Sequence, residues 1–333
     1  MNKWEKTLER FRELGGIAEN IELRDGVYGR GLFPIDQNRS VKLSVPDQLL
    51  AHQDWLQLNA SGDLILSDAC DWNDQTKKFY LDYQADYGLG GRLMHDIMYQ
   101  QRELNALPNQ IKKALIAYGF PENFFQEPTP QACLDVFIKS YRIHRKNKLV
   151  LMPVVELVNH DSMRIKSFDH EPHLGVSGKF SHEILVDYGL NADAPLMYQT
   201  YLFSTERPYA FSGSMAINLG QRVLKIGRFL AVHDIAAKIK VPKVHVEGNT
   251  LYLSFLVIGD LYDKHFPYKI FEKIMSDMGM PSKMAIDIFE GIVNQNKNFF
   301  LQLLKMLEPL DGNVVKTMRT MARNQLLTIG VLV

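Results

Sequence analysis

The chain has 333 residues, 46% hydrophobic and 23% charged, with 38 basic residues against 38 acidic ones. That length holds about two domains, the composition is ordinary for a globular protein, and the even balance excludes any global field drawing it to nucleic acid or anionic lipid. Two cysteines, Cys70 and Cys133, exclude a disulfide framework and a cysteine-based zinc cluster, so a reducing cytoplasm is the expected location.

The opening "MNKWEKTLERFRELGG" is charged and amphipathic, with Trp4, Leu8, Phe11 and Leu14 at helical spacing and a stop at Gly15-Gly16. It reads as a helix over residues 3–14 and not as a signal core, and no window reaches the apolar length a membrane span needs. In "IELRDGVYGRGLFPIDQNRSVKLSVP" short alternating segments broken by glycines predict small strands and tight turns. "LLAHQDWLQL" and "GDLILSDA" are too short to assign. From about Gly91 to Tyr141 the pattern turns helical. Leu93, Ile97 and Leu104 share one face, "PNQIKKALIAYGF" opens on proline and closes at glycine, and Thr129-Pro130 forms a candidate N-cap.

Strand-like apolar runs return in "KLVLMPVVELV" and "HEILVDYG". After Arg207-Pro208, "YAFSGSMAINL" predicts a further strand, and "RFLAVHDIAAKI", "PYKIFEKIMSDMG" and "PSKMAIDIFEGIVNQNKNFFLQLLKMLEP" predict helices. "VHVEGNTLYLSFLVIGDLY" stays ambiguous, since Gly248-Asn249 suits either a hairpin or a helix cap. The expected organisation is α+β: a strand-rich part over residues 1–205, interrupted by helices at about 91–141, then a mostly helical part over 206–333.

Three stretches carry chemistry. "LMPVVELVNHDSM", Leu151–Met163, ends an apolar run in Asn159, His160 and Asp161, which suits a polar ligand site or a satisfied turn. "LRDGVYGRGLF" places Gly26, Gly29 and Gly31 close together, where backbone can approach a ligand or simply turn a hairpin. "EILVDYG" ends at Tyr188, and Tyr198, Tyr201 and Phe203 follow it.

Taken in order, "LRDGVYGRGLF", "ELVNHD" and "EILVDYG" resemble the signature segments of SET-domain protein lysine methyltransferases, and "FRELGGI" to "SVP" resembles the Rubisco large-subunit lysine methyltransferase branch. The resemblance implies a SET domain of small curled sheets with knot-like threading, a helical insertion, and a helical C-terminal part that helps hold a protein substrate. It further implies S-adenosyl-L-methionine as cofactor, a non-histone protein bearing the target lysine as partner, and no metal. Tyr28, Gly29 and Arg30 would lie along the cofactor, and Asn159 and His160 would hydrogen-bond it. Arg142, or Tyr141 in its place, would lie near its carboxylate, with Tyr201 also close. Tyr188 would be catalytic, and Val186, Tyr201 and Phe203 would line the lysine channel. Leu202 and Asp161 depart from the pattern, standing where glycine and serine are common, and Ser181-His182 replaces a glycine. A SET-fold module that binds a protein without methylating it is the alternative.

Overall fold

Helix α1 (Lys3–Glu13) starts where the pattern predicts, because the Asn2 side chain accepts from the Glu5 amide while the Glu5 carboxylate accepts from the Asn2 amide. The structure, a computed structural model, describes residues 2–27, 29–161, 168–188, 192–228 and 241–331. Short strands follow: β1 (Ile17–Glu19), β2 (Ile21–Gly26), β3 (Gly29–Pro34), β4 (Val41–Val45), β5 (Ala51–His52), β6 (Leu56–Leu58) and β7 (Leu64–Leu66). β2 and β3 pair antiparallel, from Ile21 opposite Pro34 to Gly26 opposite Gly29. In β4 the two-residue period buries Val41, Leu43 and Val45 on one face.

Helices α2 (Asp74–Tyr87), α3 (Met94–Asn105), α4 (Asn109–Tyr118) and α5 (Pro130–Tyr141) come next. Helical structure therefore starts at Asp74, earlier than the expected Gly91. Asn73 caps α2 by accepting from the Thr76 amide, and the helix buries Phe79, Tyr80 and Tyr83 among charged neighbours. α5 starts as expected, with Thr129 accepting from the Ala132 amide and Pro130 in the first turn.

Strands β8 (Ile143–Arg145), β9 (Lys148–Leu151), β10 (Asn159–His160), β11 (Leu174–Gly178) and β12 (Leu185–Val186) complete this region. The sheets are small: β1-β4-β11, β5-β9-β8, and the pairs β2-β3, β6-β7 and β10-β12. The strand expected to run on through "VVELV" stops at Leu151, and Val155–Leu157 forms a 3₁₀ turn instead.

Helix α6 (Ala194–Tyr201) leads into β13 (Tyr209–Phe211), β14 (Met215–Asn218), β15 (Val223–Gly227), β16 (Lys243–Glu247), β17 (Thr250–Ser254) and β18 (Val257–Asp260). Gly248-Asn249 turns a hairpin, because β16 and β17 pair antiparallel up to Glu247 and Thr250. Helices α7 (Phe266–Asp277) and α8 (Ser282–Leu307) follow as expected, and a further helix, α9 (Asn313–Ile329), comes after them. The helix expected in "RFLAVHDIAAKI" falls, past Arg228, outside the described residues. No helix among the described residues is long and apolar enough to cross a membrane.

The fold is α+β. By internal contacts the chain divides into Met1–Tyr99 with Pro128–Tyr188, and Gln100–Glu127 with Gly189–Val333. This differs from the line drawn near residue 206, and the second unit's packing explains why. Leu107, Ile111 and Leu115 bury with Leu303, Leu307 and Met318, so part of the helical insertion belongs with the C-terminal helices. Asp193 joins them too. Its carboxylate caps α6 through the Leu196 amide and also accepts from the Phe211 amide, Gln325 and Arg228. The first unit holds two apolar clusters of its own, one around Phe11, Leu43 and Val158, the other around Tyr80, Phe137 and Leu151.

Candidate active site

Within the first unit the three chemistry-bearing stretches converge. Parallel pairing of β10 with β12 sets Asn159 opposite Leu185 and His160 opposite Val186. The Ile184 amide donates to the Leu32 carbonyl at 2.8 Å, which ties the segment entering β12 to the glycine hairpin. Asn159 closes the triangle, its Nδ2 donating to the Arg30 carbonyl at 3.1 Å and to Glu183 Oε1 at 2.6 Å. Burial pushes the Glu183 carboxyl up from its ordinary value, and the hydrogen bond from Asn159 partly offsets this.

Two hairpin glycines have distinct reasons. Gly29 sits at φ +90° with open space beside it, a backbone setting that other residues rarely adopt. At Gly31 a Cβ would run into Glu183 and stand 2.6 Å from Asn159 Nδ2. Gly31→Ala is therefore expected to push both side chains aside and to cost about 1–3 kcal/mol, the usual range for overpacking. Chemical denaturation measures this, and an unchanged midpoint and slope would contradict the tight approach.

His160 is 4% exposed and accepts the Tyr188 amide at Nδ1 over 3.2 Å. An accepting Nδ1 is unprotonated, so the imidazole is neutral with its proton on Nε2, and Asp187 Oδ1 lies 3.9 Å from Nδ1 without bonding it. The rings of His160 and Tyr188 lie 4.9 Å apart, and Phe168 stacks on Tyr188 at 6.1 Å. The Tyr188 hydroxyl donates to the Val158 carbonyl at 2.8 Å. A phenol fixed this way has a defined oxygen position, and its oxygen is also an acceptor.

Behind these groups lies a residue not singled out from the sequence. Glu156, in the middle of the 3₁₀ turn, is 6% exposed and accepts from Gln84 Nε2 at 2.9 Å. Burial pushes its carboxyl up to about 8. An acid inside the apolar run "VVELV" is the signal that marks it.

Gly29, Arg30, Asn159, His160, Val186 and Tyr188 are thus brought into one region. Tyr28 lies outside the described residues. Arg142 caps α5 and donates to Gln53 Oε1 at 3.0 Å. Tyr141 packs on Phe137 at 5.0 Å, and burial pushes its phenol up to about 12. Tyr201 ends α6 in the second unit, 5.6 Å from the Phe203 ring. Leu202 adopts φ 58°, a left-handed C-cap of the kind glycine takes most readily.

No family model and no curated protein matches the chain. Among solved structures the chain is similar to the SET domain of LSMT in two crystal structures, one bound to lysine and AdoHcy and one to methyl-lysine and AdoHcy. The first is 10% identical with a TM-score of 0.44, covering 98% of this chain and 88% of that one. The second is 13% identical with a TM-score of 0.46, covering 99% and 90%.

Proposed function

We propose that this chain is an S-adenosylmethionine-dependent protein-lysine N-methyltransferase acting on a non-histone protein, with residues 206–333 helping to hold that substrate. The observation that carries the reading is the meeting of the glycine hairpin, Asn159-His160 and the anchored Tyr188 hydroxyl in one region of the first unit. These are the three segments whose order resembles the SET-domain signature. The cofactor's chemistry suits them. Both donors of the Asn159 amide are engaged within the protein, so Asn159 offers a ligand its acceptor Oδ1, which matches an ammonium or an exocyclic amine. The open side of Gly29 leaves backbone accessible to a flat ligand.

S-adenosylmethionine supplies a methyl group on a positively charged sulfur. The Tyr188 oxygen, held by the Val158 carbonyl, is set to accept weak C–H···O contacts from that methyl and so to aim it. A free lysine amine has a pKa of about 10.4, and the half-buried Tyr188 ring, backed by Phe168, favours its neutral form over the ammonium. With that donor bound, the amine lone pair would form the new N–C bond as the S–C bond breaks, the sulfur would leave as a neutral thioether, and the amine proton would pass to solvent.

Incubating the purified protein with labelled S-adenosylmethionine and a lysate, then identifying labelled peptides by mass spectrometry, tests the reading. Label on lysine is expected, and no transfer to any protein would sink it. Asn159→Ala, checked for folding, is expected to weaken S-adenosylhomocysteine binding in calorimetry by about 1–3 kcal/mol, since a buried ligand donor loses its partner. An unchanged dissociation constant would count against the pocket.

A further inference from the structure

We infer that Glu156 is a positioning residue whose clamp to α2, through the Gln84 amide, holds the turn that presents the Val158 carbonyl to Tyr188 and sets Asn159 and His160 in place. The inference deepens the proposed function and rests on it only for what the site binds. Three observations support it.

The first is strain. Val154, a fully buried β-branched residue, stands at φ 71° immediately before the 3₁₀ turn. Such a conformation is strained for a β-branched residue and persists only where the surroundings over-determine it. Inside the turn the Glu156 amide donates to the Met152 carbonyl at 2.9 Å, and the Val158 amide to that of Val155 at 3.1 Å.

The second is the anchor itself. Gln84 has no choice of orientation, because its Oε1 accepts the Leu89 amide at 3.0 Å and its Nε2 must therefore face Glu156. Glu156 Oε2 and the hydroxyls of Tyr80 and Tyr83 are buried without a well-formed hydrogen bond, although the Tyr83 hydroxyl is near enough to pull the Glu156 carboxyl down. The groups facing Glu156 are Tyr80, Tyr83 and Gln84 from α2 and Tyr141 from α5, all neutral at ordinary pH. Among the described residues these groups supply no cation to balance a carboxylate, whereas a protonated acid offers an O–H to this tyrosine-lined pocket.

The third is sequence distance. Two residues after Glu156 comes the Val158 carbonyl that fixes the Tyr188 hydroxyl, and Asn159 and His160 follow directly. Whatever shifts the turn shifts all three.

With the folded carboxyl pushed up to about 8, the stability that Glu156 contributes is full below the ordinary glutamate range and is lost as pH rises through about 8. The clamp holds on the acid side of that value and loosens above it. The test follows the backbone amide resonances of Asn159, His160 and Tyr188 in the whole chain from pH 6 to 9.5. In the unaltered protein they are expected to move together with a midpoint near 8. In Glu156→Gln, a neutral side chain of the same shape, they should stay at their pH 6.5 positions throughout. Tyr83→Phe removes a group that lowers the Glu156 carboxyl, so the midpoint should rise, which keeps the test decisive if Glu156→Gln folds poorly. No movement near pH 8 in the unaltered protein, the same movement in folded Glu156→Gln, or an unmoved midpoint in Tyr83→Phe would each overturn the inference. Calorimetry with S-adenosylhomocysteine separates this from the functional reading. The dissociation constant should rise by up to about tenfold per pH unit above the midpoint in the unaltered protein, and stay flat in Glu156→Gln. Amides that titrate as expected in a protein that never binds S-adenosylhomocysteine would support the clamp and overturn the cofactor assignment.

Discussion

Tyr188→Phe is expected to slow single-turnover methylation by roughly two to three orders of magnitude, about 3–4 kcal/mol of activation free energy. The same change should lower folding stability by only about 0.5–1.5 kcal/mol, the usual net worth of one hydrogen bond. The bond in question is the one the hydroxyl donates to Val158, whose side chain is fully buried. The ring is kept, so its contacts with Phe168 and His160 survive. The backbone amide of Tyr188 is kept as well, so the neutral His160 tautomer it selects should persist, and S-adenosylhomocysteine affinity should change little. Two effects of such different size on one side chain separate an oxygen that orients the methyl from one that merely satisfies a carbonyl. If the variant methylates at the unaltered rate while melting at a lower temperature, the hydroxyl is structural and Tyr188 is not catalytic.

How much of this was legible in the sequence depended on whether the determinants were local. α1 and α5 were readable because the spacing of Trp4, Leu8, Phe11 and Leu14 before Gly15-Gly16, and the Thr129-Pro130 cap, are local signals. α8 was readable from its long apolar periodicity after Pro281. α2 was not, because it buries bulky phenols and Gln84 among lysines and aspartates, and such a face does not stand out as an apolar stripe. "VVELV" departs from the strand its pattern predicts for a related reason. A short apolar run looks the same whether it becomes a strand or a buried turn, and nothing in a valine predicts φ 71°. In the site, Asn159, His160 and Tyr188 were visible as a motif. The link through Glu183 and Gly31 was not, because it joins three separated stretches that only the fold brings together. The boundary near residue 206 shows the same limit. It followed a change of pattern after Arg207-Pro208, whereas the contacts follow Asp193 and residues 104–125, which pack on partners far along the chain.

Asp193→Ala should be among the most damaging single changes outside the site, costing about 3–5 kcal/mol. The carboxylate is fully buried and its two oxygens accept from the Leu196 amide at 3.0 Å, the Phe211 amide at 3.1 Å, Gln325 Nε2 at 3.0 Å and Arg228 Nη2 at 2.7 Å. Alanine would remove the α6 cap, typically worth about 1 kcal/mol, and would leave the Arg228 side chain, only 12% exposed, as a buried charge with its counter-ion gone. The second effect is the larger, because an uncompensated buried charge costs more than the pair contributes. A double variant tests which effect dominates. Asp193→Ala with Arg228→Met removes both charges, so it should be more stable than Asp193→Ala alone, with a coupling of about 1–3 kcal/mol in the cycle. Urea denaturation of the two single variants and the double measures that coupling. If Asp193→Ala costs less than about 1 kcal/mol, or if Arg228→Met fails to restore any of the loss, the cluster is not held by its buried ion pair, and the packing of α4, α8 and α9 must carry the second unit without it.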